Sequence, residues 1–137
     1  MYLIARIVMC FCLLSGYSSA IANPLQGAWK LISGEYIDAQ GQTISYVASD
    51  MQAIKVLSEQ HFSFTSLKGE QFWASATGTY QFTDGQYVES LVLNSFGEKA
   101  GSQYAFAAKI EGDTWYNSRW QDGKRVEYEV WQRLSAK

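Results

Sequence analysis

Apolar and polar residues alternate with a period of two along most of the chain, as they do in half-buried β-strands. Segment 71–83 is the longest example, and alternation over this length does not fit a helix. The residues predicted to share one face of this strand are Phe72, Ala74, Ala76, Gly78, Tyr80 and Phe82. An Asp-Gly pair at 84–85 then predicts a tight turn, so segment 86–96 returns as the next strand.

Turn residues divide the rest of the chain into further short strands. The predicted strands are 25–37, 43–47, 51–57, 61–67, 71–83, 86–96, 103–111, 114–121 and 124–134. No segment has a convincing helical period. A meander of eight or nine strands protects its edges by closing into a barrel or by folding into a sandwich. Because hairpins join all neighbours and no long crossover is visible, we predict an all-β fold, a single antiparallel up-and-down β-barrel.

The first 22 residues have the features of a cleavable signal peptide. Arg6 supplies positive charge, residues 7–14 are an unbroken apolar run, and small residues stand at Ala20 and Ala22. A membrane-spanning helix needs about 20 apolar residues, and this run is much shorter. We therefore expect cleavage after Ala22, a β-barrel domain over residues 23–137, and a periplasmic or secreted protein.

The composition of the predicted mature domain excludes several function classes. Both cysteines, Cys10 and Cys12, lie in the leader, and neither follows the small residue that lipid attachment requires. The mature domain therefore has neither disulfides nor thiolate chemistry. The whole chain has 11 Lys and Arg against 13 Asp and Glu, without a basic run in the mature part. We expect no nucleic-acid partner, and no integral membrane protein after cleavage.

Short motifs at both ends of the domain resemble those of the calycin group, meaning lipocalins, fatty-acid-binding proteins and bacterial lipocalin-like proteins. The first strand begins Gly-Ala-Trp at 27–29, and the last ends Trp-Gln-Arg at 131–133. The resemblance implies that Arg133 packs over Trp29 and closes the base of the barrel, which is a favourable cation–π contact.

A closer resemblance is to small exported bacterial lipocalin-like domains of unassigned function. The shared motifs are Leu-x-Gly-x-Trp at 25–29, Gly-Thr-Tyr at 78–80 and Tyr-x-Glu at 87–89. The resemblance implies a fold but names neither ligand nor reaction, because this barrel hosts many ligands and some enzymes. We do not expect the carboxylate site of fatty-acid-binding proteins here, because alternation predicts Arg125 and Tyr128 on opposite faces of a strand.

The last strand offers a polar cluster. Glu127 and Glu129 share a face with Trp131, so they point inwards if Trp131 does. In the alternative, the apolar residues of the opposite face form the core and the glutamates lie in water, or a β-bulge before Trp131 changes the facing. The candidate ligand-binding residues are Tyr80, Glu89, Phe106, Arg119, Glu127 and Glu129, and the candidate barrel-closing residues are Trp29 and Arg133.

Other chemistry finds little support in the sequence. His61 is the only histidine and stands at a strand start, where a surface position is favoured over a haem ligand or a general base. One histidine without cysteine leaves only carboxylates to complete a zinc site. Neither a nucleophile–base constellation nor a phosphate loop is visible. We therefore expect no cofactor, no metal and no catalytic residues.

The sequence supports three functions to different degrees. We expect an exported binding protein that holds a small hydrophobic or amphipathic ligand, because the aromatic content suits a large apolar interior. One alternative is a non-enzymatic envelope module with a filled core that binds other proteins. The other is a lipocalin-like isomerase or cyclase with Glu89, Glu127 and Glu129 as acid and base. The identity of the ligand and the oligomeric state stay open.

Overall fold

Nine β-strands make up the fold in a computed structural model, which describes residues 23–135. The predicted signal peptide, residues 1–22, lies outside the described residues. The strands are β1 (Gly27–Ile37), β2 (Thr43–Ser45), β3 (Met51–Leu57), β4 (His61–Lys68), β5 (Gln71–Thr83), β6 (Gln86–Asn94), β7 (Gln103–Glu111), β8 (Thr114–Gln121) and β9 (Lys124–Leu134). Within this range, no helix is long and apolar enough to cross a membrane.

Eight of these strands close into a ring. Strands β3 to β8 each pair with the next strand along the chain, and β1 pairs with both β3 and β9. All pairs are antiparallel, and β2 adds only three residue pairs to the end of β1. The predicted up-and-down barrel is therefore confirmed, with the ninth strand outside the ring. An eight-stranded antiparallel barrel of this kind is consistent with a calycin-like fold.

A β-bulge in β1 leaves the alternation of the last strand uninterrupted. Leu31 pairs with Trp131 and Ser33 pairs with Val130, so Ile32 is the extra residue. The alternation of β9 continues past this point, because the bulge lies in its neighbour. Glu127, Glu129 and Trp131 therefore all line the interior, and the alternative that leaves the glutamates in water does not hold.

A second bulge corrects the predicted facing of β5. Ser66 pairs with Ala74 and Leu67 pairs with Phe72, which leaves Trp73 as the extra residue. Alternation predicts Phe72 on the same face as Ala74, but the bulge changes the parity. As a result Phe72 is 59% exposed, and Trp73 lies at the mouth of the barrel.

Aromatic side chains fill one end of the barrel, which we call the base. Trp115 contacts Trp29 and Tyr87 edge to face, with ring centroids 5.5 and 5.0 Å apart, and all three are fully buried. The guanidinium of Arg133 lies 4.1 Å from the Trp29 ring and donates hydrogen bonds to the carbonyls of Gln26 and Pro24. These contacts hold the chain before β1 across the base, so the cavity of the barrel lies towards the opposite end.

Gly34 lies where the backbone of β9 leaves no room for a side chain on β1. Its φ is +130°, and a Cβ there would overlap the carbonyl oxygen of Tyr128. Gly41 has a φ of +77° but open space around it. We expect Gly41→Ala to lower the free energy of unfolding by about 1–2 kcal/mol through backbone strain alone. Gly34→Ala should cost about 1–3 kcal/mol more, because the ring must also open locally.

The comparison is made by urea unfolding of both variants, followed by tryptophan fluorescence. Equal losses of stability in Gly34→Ala and Gly41→Ala would contradict the close approach of the two strands.

Candidate functional site

A cavity of about 440 Å³ occupies the barrel between the aromatic base and the opposite end, the mouth. Its volume lies in the range of small-molecule sites. The mouth is surrounded by the end of β1, the β2–β3 segment, the β4–β5 and β8–β9 hairpins and the β6–β7 loop. Apolar residues dominate the wall, among them Leu31, Met51, Phe64, Leu91 and Phe106.

A row of small side chains creates the room. Ala53, Ser66 and Ala74 lie directly opposite one another on β3, β4 and β5, and all three line the cavity. Nearer the base, the ring of Phe62 packs against Gly78 and fills the interior. Small residues on three neighbouring strands therefore decide where the interior is open.

A buried ion pair lies in the cavity wall. Lys55 is only 3% exposed, and its Nζ lies 2.6 Å from Oε1 of Glu89. The same Oε1 accepts a hydrogen bond of 2.8 Å from the hydroxyl of Tyr87. Burial by itself lowers the pKa of Lys55, but the charges of Glu89 and Glu129 outweigh it and raise this pKa above its ordinary value. Lys55 is therefore charged throughout the neutral pH range.

Aromatic rings surround the ammonium of Lys55. Its Nζ lies between 5.0 and 5.7 Å from the ring centroids of Phe64, Tyr87, Trp115 and Trp131. Cation–π contacts reach about 2 kcal/mol at a desolvated site. The rings therefore stabilise the charge on the sides that Glu89 leaves open.

Glu129 is a buried carboxylate without a cation beside it. It is 8% exposed and lines the cavity. Its Oε2 accepts hydrogen bonds from Nδ2 of Asn117 at 3.2 Å and from Nε1 of Trp131 at 2.9 Å. Within residues 23–135, no basic nitrogen lies within 4.0 Å of this carboxylate, and its Oε1 accepts no hydrogen bond.

A second ion pair lies closer to the mouth. Nε of Arg119 donates to Oε2 of Glu127 at 2.9 Å, and the hydroxyl of Tyr46 donates to Oε1 at 3.1 Å. Burial and then Glu127 raise the pKa of Tyr46 far above its usual range, so the phenol keeps its proton. Tyr46 follows β2, and its ring stacks on that of Tyr36 at the end of β1.

The carboxyl of Glu127 has an unusual pKa. Burial and the neighbouring Glu129 raise this pKa from an ordinary value near 4.5 to about 7, against the opposing effects of Arg119 and Tyr46. The side chain is nevertheless 19% exposed, in contact with the mouth. Glu127 therefore exchanges its proton close to neutral pH.

The structure brings together five of the six candidate ligand-binding residues. Glu89, Phe106, Arg119, Glu127 and Glu129 all line the cavity. Tyr80 lies apart from them in the base, where its hydroxyl donates to the carbonyl of Ser58 and accepts from Nδ2 of Asn23. Its side chain is buried, as the alternation of β5 predicts, but it contacts the filled end of the barrel.

The other singled-out residues lie away from the cavity. Arg133 covers Trp29 at the base, and His61 is exposed at the start of β4. Within residues 23–135, no group of three or more histidine, cysteine, aspartate or glutamate side chains is arranged to hold a metal ion.

Two important residues were missed by sequence reasoning. Lys55 alternates in phase with Met51 and Ala53, which face the interior. Apolar Ile54 and Val56 occupy the opposite phase, and this masked the inward position of the lysine. Tyr46 falls within the predicted strand 43–47, but β2 ends at Ser45, so the alternation of a strand does not give its facing. The only available signal was indirect, since an inward Glu89 needs a buried cation.

Comparisons with known proteins do not assign this site. Searches against protein-family models, curated proteins and solved structures each found no match to the chain. The site is therefore interpreted from its own geometry.

The buried ion pair yields a prediction about stability. We expect Glu89→Gln to lower the free energy of unfolding by about 3–5 kcal/mol, because it leaves the charge of Lys55 buried without a counter-ion. The double variant Lys55→Met/Glu89→Gln should regain most of this loss, because no buried charge is left. Urea unfolding measures both, with exposed Glu111→Gln as the control that stays unchanged. A double variant as unstable as Glu89→Gln would contradict the pairing.

The pKa of Glu127 yields a prediction about pH dependence. Because its pKa is higher in the folded than in the unfolded chain, the folded state binds this proton more tightly. The resulting stabilisation is fully present below pH 4.5 and is lost as the pH rises through about 7. Glu127→Gln cannot ionise, so its stability relative to the unmodified protein should increase by about 2 kcal/mol from pH 5 to pH 8.

The measurement is urea unfolding of both proteins at the two pH values, with Glu111→Gln as a control for an exposed carboxyl. A difference between Glu127→Gln and the unmodified protein that does not vary with pH would show that Glu127 titrates normally.

Proposed function

We propose that this protein is an exported, lipocalin-like binding protein that holds a small amphipathic ligand inside its barrel. The observation that carries the proposal is the apolar cavity of about 440 Å³ with ionisable groups in its wall. Ligand sites commonly combine an apolar lining with a few polar groups that fix orientation. Amphipathic molecules match this combination better than purely apolar ones.

The filled-core alternative fits the geometry less well. A module without a ligand has no need of the row Ala53, Ser66 and Ala74, where larger side chains would add buried apolar contacts. The polar groups also argue for a ligand, because burying charges without a function is costly. An open interior with charged walls therefore favours binding.

Lipocalin-like ancestry and export belong to the same proposal. Support for the ancestry comes from the closed eight-stranded ring and from Arg133 over Trp29, which is the contact that the motifs at 27–29 and 131–133 imply. Support for export comes from the pattern of residues 1–22 alone. A periplasmic or secreted location would place the cavity where small amphipathic molecules are encountered outside the cytoplasm.

One observation favours a catalytic alternative. Glu127 has a pKa of about 7 and contacts the cavity, as a general acid or base would require. Its oxygens are already bound by Arg119 and Tyr46. Holding a polar group of the ligand through this network is therefore the simpler role.

The proposal predicts binding of a neutral apolar dye, N-phenyl-1-naphthylamine, whose fluorescence rises in an apolar environment. We expect one dye per chain for the protein purified after export in a bacterial host. Ala74→Phe should weaken binding by at least about tenfold, because the added ring occupies the cavity and removes about 1.4 kcal/mol or more of binding free energy. Ala105→Phe, on the outer face of β7, should bind as the unmodified protein does.

Fluorescence titration of the three proteins provides the measurement. Absence of dye binding, or equal affinity in Ala74→Phe and the unmodified protein, would refute a binding site in the barrel.

A further inference from the structure

The charges in the cavity wall do not balance. Two cations, Lys55 and Arg119, line the cavity together with three carboxylates, Glu89, Glu127 and Glu129. Each cation lies beside one carboxylate, at 2.6 Å for Lys55 with Glu89 and at 2.9 Å for Arg119 with Glu127. Among residues 23–135, Glu129 has no ion pair of its own, although its charge acts on Lys55 at longer range. The wall with all groups ionised therefore lacks one positive charge.

The leftover carboxylate also has unused hydrogen-bonding capacity. Its Oε2 is bound by two neutral donors, whereas its Oε1 accepts no hydrogen bond from the part of the chain that the structure describes. Asn117 lies directly across from Glu129 in register, is fully buried, and its Oδ1 is a buried acceptor without a donor. A buried acceptor without a donor, Oδ1 of Asn117, thus lies beside a carboxylate oxygen that is free to accept. Buried acceptors are rarely left in this state.

Donors within the barrel do not fill this gap. The ammonium of Lys55 is directed to Glu89 and is otherwise surrounded by rings. The guanidinium of Arg119 is occupied by Glu127 and lies 5.4 Å from the centroid of the Tyr104 ring. Nε1 of Trp115 is a buried donor without an acceptor among residues 23–135, but it makes no hydrogen bond to Glu129. A molecule in the cavity, either water or a ligand, can supply the donor for Oε1 of Glu129.

The surroundings of Glu129 suit a cation better than a neutral donor. The rings of Trp131 and Phe106 line the same cavity, and aromatic faces attract ammonium groups. A carboxylate in a place of low effective dielectric interacts more strongly with a positive charge than it would in water. An anionic head group would instead add a negative charge to a wall in which three carboxyl groups face only two cations.

From this geometry we propose that the cavity selects ligands with a protonated amine attached to an apolar body, and that Glu129 binds the amine. The ammonium would donate to Oε1 of Glu129, and the apolar body would extend past Leu31 and Met51 towards the mouth. This inference rests on the proposed function, since it names the chemical class of the ligand for the same cavity.

The test compares three probes that share one chain and differ only in the head group: decylamine, 1-decanol and decanoate. Each displaces N-phenyl-1-naphthylamine from the unmodified protein at pH 7.5, where the amine is protonated and decanoate is ionised. We expect decylamine to bind at least about tenfold more tightly than 1-decanol, because its hydrogen bond is charge-assisted. Decanoate should bind more weakly than 1-decanol.

A matched pair of variants assigns the preference to one carboxylate. Glu129→Gln keeps the shape and an oxygen acceptor for Asn117 and Trp131, but it removes the charge. We expect it to bind decylamine at least about tenfold more weakly and 1-decanol with unchanged affinity. Glu111→Gln, an exposed carboxylate on β7 near the base, should leave all three affinities unchanged.

The outcomes separate this inference from the proposed function. Dye binding together with equal affinities for the three probes, or with decanoate preferred, would overturn the amine selectivity and leave a binding protein. Preference for decylamine that survives in Glu129→Gln would overturn the role of Glu129. If the dye and all three probes fail to bind, the binding function itself is refuted. The ranking in the unmodified protein decides the ligand class even if Glu129→Gln does not fold.

Discussion

The pairing of β9 with β1 is the constraint on which the rest of this structure depends. It joins eight strands into a ring, and only a ring has an enclosed inner face. Once the inner face is enclosed, each charge on it loses water and has to be stabilised by other groups in the same interior. This enclosure explains the two ion pairs, Lys55 with Glu89 and Arg119 with Glu127. It also explains the aromatic rings around Lys55.

The two ends of the barrel differ in the size of the side chains that face the interior. At the base, large rings such as Trp29 and Trp115 pack edge to face, and the segment before β1 is held across them by Arg133. Towards the mouth, small residues such as Ala53 and Ala74 leave the interior of the barrel unfilled. The base therefore supplies stability, and the mouth supplies the space in which the polar groups act.

The sequence predicts the strands well because each depends on local alternation and on Gly or Asp turns. The closed meander also follows, since hairpins leave few alternatives. The site was only partly predictable. Inward glutamates on β9 were one of two alternatives, because alternation shows that they share a face with Trp131 but does not show which face of β9 the barrel buries. Lys55 was missed because its partner Glu89 comes from a strand that is distant along the chain, and because apolar Ile54 and Val56 occupy the opposite phase of its strand.

The position of β1 and β9 at opposite ends of the described chain has a kinetic consequence. Their contact Ala28 to Leu134 joins residues about 100 positions apart, whereas hairpins form all the other pairs except the short connection from β1 to β3. Loop closure over such a distance is entropically the most demanding step of folding. We therefore expect the hairpins to form early and the ring to close last. Until then the chain is an open sheet with unpaired edge strands, so the slowest folding step coincides with the greatest exposure to aggregation.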